Sequence, residues 1–118
     1  MQRIWIGLGS LLGLGTVAMA SYLAHGVSDP AAARIIASGV QMQGWHALAL
    51  IGTGLWTPRG GRLADAAGAA IAVGVILFCS AVYSLGLAGI SLGPIAPVGG
   101  TLTMAGWLLL AISAMRPR

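Results

Sequence analysis

The charged residues of this chain are placed so that four long stretches contain none. These stretches are residues 4–24, 41–57, 66–93 and 95–115. A helix that crosses the ~30 Å hydrocarbon core of a bilayer needs about 20 mostly apolar residues, with about 17 to 25 tolerated. A membrane β-barrel would instead alternate polar and apolar residues in segments of about ten, and the run from Leu108 to Ile112 does not alternate. The sequence therefore predicts an all-α integral membrane protein built as a bundle of four transmembrane helices.

Composition excludes the other broad classes of protein. The chain is 58% hydrophobic and 7% charged, whereas a soluble domain carries about 25% charged residues. The six arginines form no basic patch of the kind that binds nucleic acid, so we expect no nucleic-acid partner. We expect one membrane domain over residues 1–118, with helices at about residues 4–25, 41–57, 64–88 and 96–115.

The arginines predict the orientation of these helices. With four crossings, one side of the membrane collects Arg3, Arg59, Arg62, Arg116 and Arg118, while Arg34 lies on the other. Cytoplasmic segments are enriched in arginine and lysine, so both termini are expected in the cytoplasm. Aromatic residues at both rims fit this topology. Trp5 and Trp56 would lie at the cytoplasmic interface, and Tyr22, Trp45 and Tyr83 toward the outer one.

A short helix is predicted between the first two crossings, over residues 28–39. Ser28 or Asp29 can cap its start, Pro30 suits the first helical position, and Gly39 suits its end. This segment is too short and too mixed in character to cross a bilayer. We therefore expect it to lie along the outer membrane surface.

Polar residues within the crossings are the candidate functional residues, because each is costly in lipid unless it has a partner. With the second crossing starting at residue 41, they fall in the outer half of the bundle. They are His25, Gln43, His46, Tyr83 and Thr101. Three interpretations remain open: a structural hydrogen-bond network, a pocket for a lipid or quinone head group, or a metal or haem held by His25 and His46. The metal is the weakest of these, since structural sites usually have four ligands.

Small residues in the helices favour close helix packing, which drives association in lipid. The glycines predicted to serve it are Gly9, Gly13, Gly68, Gly99 and Gly100. One interpretation is that the helix faces carrying these glycines pack against each other within one bundle. The other is that the face with Gly9 and Gly13 docks another subunit.

Catalytic and cofactor motifs are missing from the sequence. Asp29 and Asp65 fall on opposite sides of the predicted membrane and cannot form an acid–base pair. Cys79 has no neighbouring base that would activate it as a nucleophile. We expect no catalytic residues, no metal and no cofactor, and therefore not an enzyme.

Several motifs, in matching order over nearly the whole chain, resemble the domain of unknown function 423 family of small four-helix bacterial inner-membrane proteins. They are Ala24-His25-Gly26, residues 40–50 with Gln43 and His46, residues 78–83 ending at Tyr83, residues 94–100 with Pro97-Val98-Gly99-Gly100, and Gly106-Trp107. The chain departs from the family pattern at Ala96, where threonine is common, and at Gly44-Trp45. The resemblance implies a location in the bacterial inner membrane and no particular reaction.

These observations lead to two hypotheses of function. The first is a non-catalytic structural or accessory subunit that packs with itself or within a larger inner-membrane complex, in contact with membrane lipid. The alternative is a binding or transport module that holds a small ligand in the His/Gln/Tyr pocket.

Overall fold

The structure is a computed structural model that describes residues 1–116 of the chain. It contains three helices, α1 (Gln2–Gly26), α2 (Pro30–Ala88) and α3 (Ile95–Met115). Each is long and apolar enough to cross a membrane, and no strand occurs within the described residues. The prediction of an all-α fold is therefore confirmed, but as three helices, of which the second is bent back on itself.

Helix α2 reverses direction at Gly61, whose backbone angles (φ 63°, ψ −143°) are not helical. A straight helix of 59 residues would measure about 88 Å at 1.5 Å per residue, yet the longest dimension of the molecule is 52 Å. Residues on either side of the bend also contact each other, as Gly39 does with Tyr83. We call the two arms α2a (residues 30–60) and α2b (residues 62–88).

Glycine is required at the bend because residue 61 occupies a region of φ and ψ that only glycine enters readily. Changing Gly61 to alanine should lower the free energy of unfolding by about 1–3 kcal/mol, measured by thermal unfolding in detergent. Gly89 also has a positive φ (φ 69°, ψ 14°), but in the left-handed helical region that asparagine tolerates. Gly89→Asn is the matched control and should cost less. Equal unfolding temperatures for Gly61→Ala and the wild type would contradict this requirement.

The separate interfacial helix expected over residues 28–39 is not present, since residues 30–39 are the first ten residues of α2. The predicted start is right in detail, because the Asp29 carboxylate accepts a hydrogen bond from the Ala32 amide and Pro30 begins the helix. The predicted end at Gly39 is wrong. Gly39 is buried against the Tyr83 ring, where a Cβ atom would lie 2.6 Å from Tyr83 Cε1. This glycine therefore permits close packing of two arms and does not end a helix.

The two arms of α2 form the centre of the bundle, and α1 and α3 pack on them. Within the described residues α1 and α3 share no backbone contact of their own. Helix α1 lies against both arms, with Gly9 at the Ala47 carbonyl of α2a and Trp5 against Gly68 of α2b. The start of α1, the bend and the end of α3 therefore meet at one end of the bundle, the Gly61 end. The other is the Pro30 end.

Close contacts between helices occur at some of the predicted packing glycines. A Cβ atom on Gly9, Gly68 or Gly99 would lie within 2.8 Å of a neighbouring helix. Around Gly13 and Gly100 there is open space within 4 Å. Because Gly9 is buried inside the chain, the predicted docking face formed by Gly9 and Gly13 does not exist as one exposed surface.

Candidate functional site

A buried glutamine joins three of the four helical segments. The Gln43 amide nitrogen of α2a donates to the Leu12 carbonyl of α1 at 2.8 Å. Its amide oxygen accepts from the Tyr83 hydroxyl of α2b at 2.7 Å. Gly15 makes room for this side chain, because a Cβ atom there would lie 2.8 Å from the Gln43 nitrogen. Gln43 thus uses both ends of its amide between helices.

His46, one turn further along α2a, links that arm to α3. Its Nε2 atom lies 2.9 Å from the indole nitrogen of Trp107, and the two rings meet edge to face with centroids 5.7 Å apart. Its Nδ1 atom lies 2.6 Å from the Met42 carbonyl oxygen. An indole N–H can only donate and a carbonyl can only accept. His46 is therefore the neutral tautomer with the proton on Nδ1.

A third link joins the arms of α2 beside this pair. The buried Cys79 thiol of α2b donates to the Gly39 carbonyl of α2a at 3.5 Å. We call Gln43, His46, Cys79, Tyr83 and Trp107 the central polar network. With Leu12 it connects all four helical segments of the bundle.

Gln43 and His46 lie near the middle of α2a. Gln43 follows the start of α2 at Pro30 by about 20 Å along the helix axis, and His46 by about 24 Å. The prediction began this helix at residue 41 and so placed both side chains in its first turns, whereas the structure begins it at Pro30. The residues that α2 adds before position 41 place both side chains eleven residues further from the start of the helix than predicted.

Two of the predicted ligand-binding residues lie outside the network. His25 is exposed at the end of α1, where its Nδ1 atom contacts the Ser21 carbonyl of its own helix at 2.9 Å. Thr101 is exposed on α3 and donates to the Pro97 carbonyl. His25 lies at the Pro30 end, whereas His46 is about 24 Å along α2a from that end. The structure therefore does not bring the two histidines together, as the metal or haem interpretation requires.

Every polar side-chain atom of the network is occupied by another protein atom. Among the described residues, no buried side-chain nitrogen or oxygen lacks a hydrogen-bond partner. Four surface grooves lined by described residues have volumes between 80 and 470 Å³, and none is bordered by Gln43, His46 or Tyr83. The described residues also contain no cluster of three or more His, Cys, Asp or Glu side chains suited to a metal. The arrangement joins the helical segments through side chains that are hydrogen-bonded to one another or to backbone carbonyls.

Two tryptophans that were expected at the cytoplasmic rim form hydrogen bonds between helices at the Gly61 end. The indole of Trp5, buried to 5% exposure, donates to the Asp65 carboxylate at 2.9 Å. The Trp56 indole donates to the Ser113 hydroxyl at 3.0 Å. The one sequence signal for these bonds was Asp65, because an acidic side chain beside an apolar stretch needs a hydrogen-bond donor. No sequence spacing relates Trp107 to His46, so the sequence did not indicate that pair.

Long apolar helices joined by paired polar side chains are typical of an α-helical membrane protein. The family model described as "Protein of unknown function (DUF423)" matches residues 16–100, which include most of the central polar network. The chain belongs to this family, as its sequence motifs indicated.

Curated relatives match almost the whole chain. A UPF0382 membrane protein of Haemophilus influenzae is 28% identical over 100% of this chain and 98% of its own length. One from Staphylococcus haemolyticus is 32% identical, with 98% of each chain covered. The UPF0382 inner membrane protein YgdD of Escherichia coli is 29% identical over 98% of this chain and 92% of its own. No solved structure matches this chain.

Proposed function

We propose that this protein is a non-catalytic structural or accessory subunit of the bacterial inner membrane that crosses the bilayer four times. The observation that carries the proposal is the mutual pairing of the central polar network. A network in which each polar side-chain atom has a protein partner stabilises a bundle, whereas a binding site keeps such atoms for its ligand.

Four crossings are supported by the lengths of the two arms of α2. Residues 30–60 and 62–88 would measure about 46 and 40 Å, and each exceeds the ~30 Å hydrocarbon core. The bend between them is flanked by the exposed Arg59 and Arg62. A reversal flanked by charges suits a turn in water.

The arginines support an orientation with both termini in the cytoplasm. Arg3, Arg59, Arg62 and Arg116 are at the Gly61 end of the bundle, and Arg34 is at the Pro30 end. The remaining arginine, Arg118, lies outside the described residues. The excess of arginine at the Gly61 end makes it the cytoplasmic end by the positive-inside rule.

An accessory role is supported by how little of the chain lies outside its helices. Helices α1 and α2 are separated by residues 27–29, and α2 and α3 by residues 89–94. Partners must therefore be reached within the bilayer, through faces that carry large exposed apolar side chains. Examples are Leu11, Leu14 and Val17 of α1, each at least 66% exposed.

The proposal can be tested with the two histidines, one internal and one exposed. His46→Leu removes the bond to Trp107 and should lower the free energy of unfolding by about 1 kcal/mol, measured by thermal unfolding in mild detergent. His25→Leu is the matched control and should leave stability unchanged. Both variants, purified from native membranes, should keep the same homo-oligomer or stoichiometric complex as the wild type in native mass spectrometry.

Two observations together would support a ligand-binding module instead. The purified wild-type protein would carry a lipid, quinone or haem and no protein partner, and the His46→Leu variant would lose this small molecule while its stability stayed unchanged. A strictly monomeric protein without either would contradict both functions.

A further inference from the structure

An open groove of about 470 Å³ lies between the end of α1 and the first three turns of α2a. Its lining is Leu23 of α1 and Arg34, Ala37, Ser38, Val40 and Gln41 of α2a. This volume is in the range of clefts that bind small molecules. The groove is separate from the central polar network, because none of the network residues lines it.

The polar residues of the groove share one outward face of α2a. Arg34, Ser38 and Gln41 are spaced by four and three residues, which places them on one side of a helix, and all three are exposed. Trp45 continues this face four residues further on and is 56% exposed. The face therefore changes from cationic to polar to apolar with increasing distance from the Pro30 end.

Gln41 is the unusual member of this face. It is about 16 Å along the helix from Pro30 and yet exposed, whereas Gln43 at a similar depth is buried and doubly bonded. A polar side chain that faces lipid at this depth is costly unless it finds a partner. Nothing inside the bundle requires glutamine at this position, so its partner is to be sought outside.

We propose that this groove binds one anionic phospholipid of the leaflet at the Pro30 end. The Arg34 guanidinium pairs with the lipid phosphate, because arginine binds phosphate with charge-assisted hydrogen bonds. The deeper Gln41 amide donates to the ester carbonyl groups, and Leu23, Val40 and Trp45 contact the acyl chains. The one acidic side chain at this end, Asp29, accepts the Ala32 amide at the start of α2.

Charge favours a lipid over a second copy of this chain. Two copies inserted the same way are parallel, so a two-fold contact through this face would place Arg34 opposite Arg34, and like charges repel. An anionic head group neutralises the same charge. The inference rests on the membrane crossing of α1 and α2a and not on the accessory role, so the two can fail independently.

Trp45 serves as the reporter in the test. The protein is placed in phosphatidylcholine vesicles that contain brominated phosphatidylglycerol, which quenches tryptophan fluorescence. The quenching should correspond to a local fraction of phosphatidylglycerol near Trp45 that is about three- to fivefold higher than its fraction in the vesicle. The Trp45→Phe variant identifies the part of the signal that comes from Trp45. Arg34→Gln should reduce the enrichment to about onefold. Arg59→Gln, which removes a cation at the Gly61 end, is the matched control and should keep it.

Three results would overturn the proposal. The first is quenching of the same strength with brominated phosphatidylcholine alone or in Arg34→Gln. The second is loss of the enrichment on addition of inorganic phosphate, which would make free phosphate the ligand. The third is a disulfide-linked dimer on mild oxidation of Ser38→Cys in a Cys79→Ala background, which would make a second copy the occupant of this face.

Discussion

Replacing Gly99 with alanine should destabilise the bundle by about 1–3 kcal/mol, the usual cost of overpacking a tight interface. A Cβ atom on Gly99 would lie 2.5 Å from the Phe78 amide nitrogen and 2.7 Å from the Gly74 carbonyl oxygen. Both are backbone atoms, which cannot turn aside as a flexible side chain can. Helix α3 must therefore move away from α2b over its first turns, and thermal unfolding in detergent will measure the loss.

The neighbouring glycine provides the matched control for this prediction. Gly100 lies in the same helix and has open space within 4 Å. Alanine there should be neutral or stabilise by up to about 1 kcal/mol, because glycine is unfavourable inside a helix. If Gly99→Ala and Gly100→Ala unfold at the same temperature, α3 does not pack on α2b in this register.

Replacing Gln43 with leucine should be the second large change, with a loss of about 1–2 kcal/mol. The substitution keeps the apolar bulk but removes both hydrogen bonds that join α2a to α1 and α2b. It also leaves the Tyr83 hydroxyl without its acceptor. Gln41→Leu, two residues earlier and on the exposed face, makes the same chemical change and should not lower the unfolding temperature.

A second substitution distinguishes two causes of the lost stability in Gln43→Leu: the missing hydrogen bonds and the different shape of leucine. Tyr83→Phe in the Gln43→Leu background removes the hydroxyl that was left unpaired, and should recover part of the lost stability. If the double variant is as unstable as the sum of its two single variants, Gln43 and Tyr83 are not coupled. The hydrogen bond between them would then contribute nothing to the bundle.

Much of the architecture could be predicted because it depends on local composition. The spacing of the charged residues predicted apolar helices for a membrane, and the motifs around Gln43 and His46 indicated the family. Helix ends were harder, as Gly39 illustrates. The sequence alone does not distinguish a glycine that ends a helix from one that admits a neighbouring ring, since both need only a missing Cβ atom.

Three of the five members of the central polar network were predicted from the sequence, but their partners were not. Gln43, His46 and Tyr83 were singled out because polar side chains are rare in such helices, and the structure joins Gln43 to Tyr83. His25 and Thr101 were included on the same argument, and both are exposed on separate helices. Their placement depends on which face of each helix turns inward, and glycine-rich helices with apolar residues all round give little indication of that face.

The eight charges and the stretches between them thus determined by themselves that this chain is a helical membrane protein, because the cost of charge in lipid acts on each residue regardless of its neighbours. Only the tertiary structure decided that α2 starts at Pro30 and folds back at Gly61. It alone also paired Trp107 with His46 and Trp5 with Asp65. Those pairings join residues about sixty positions apart. They are selected by how closely helices approach, which is a property of packed surfaces and not of any local pattern.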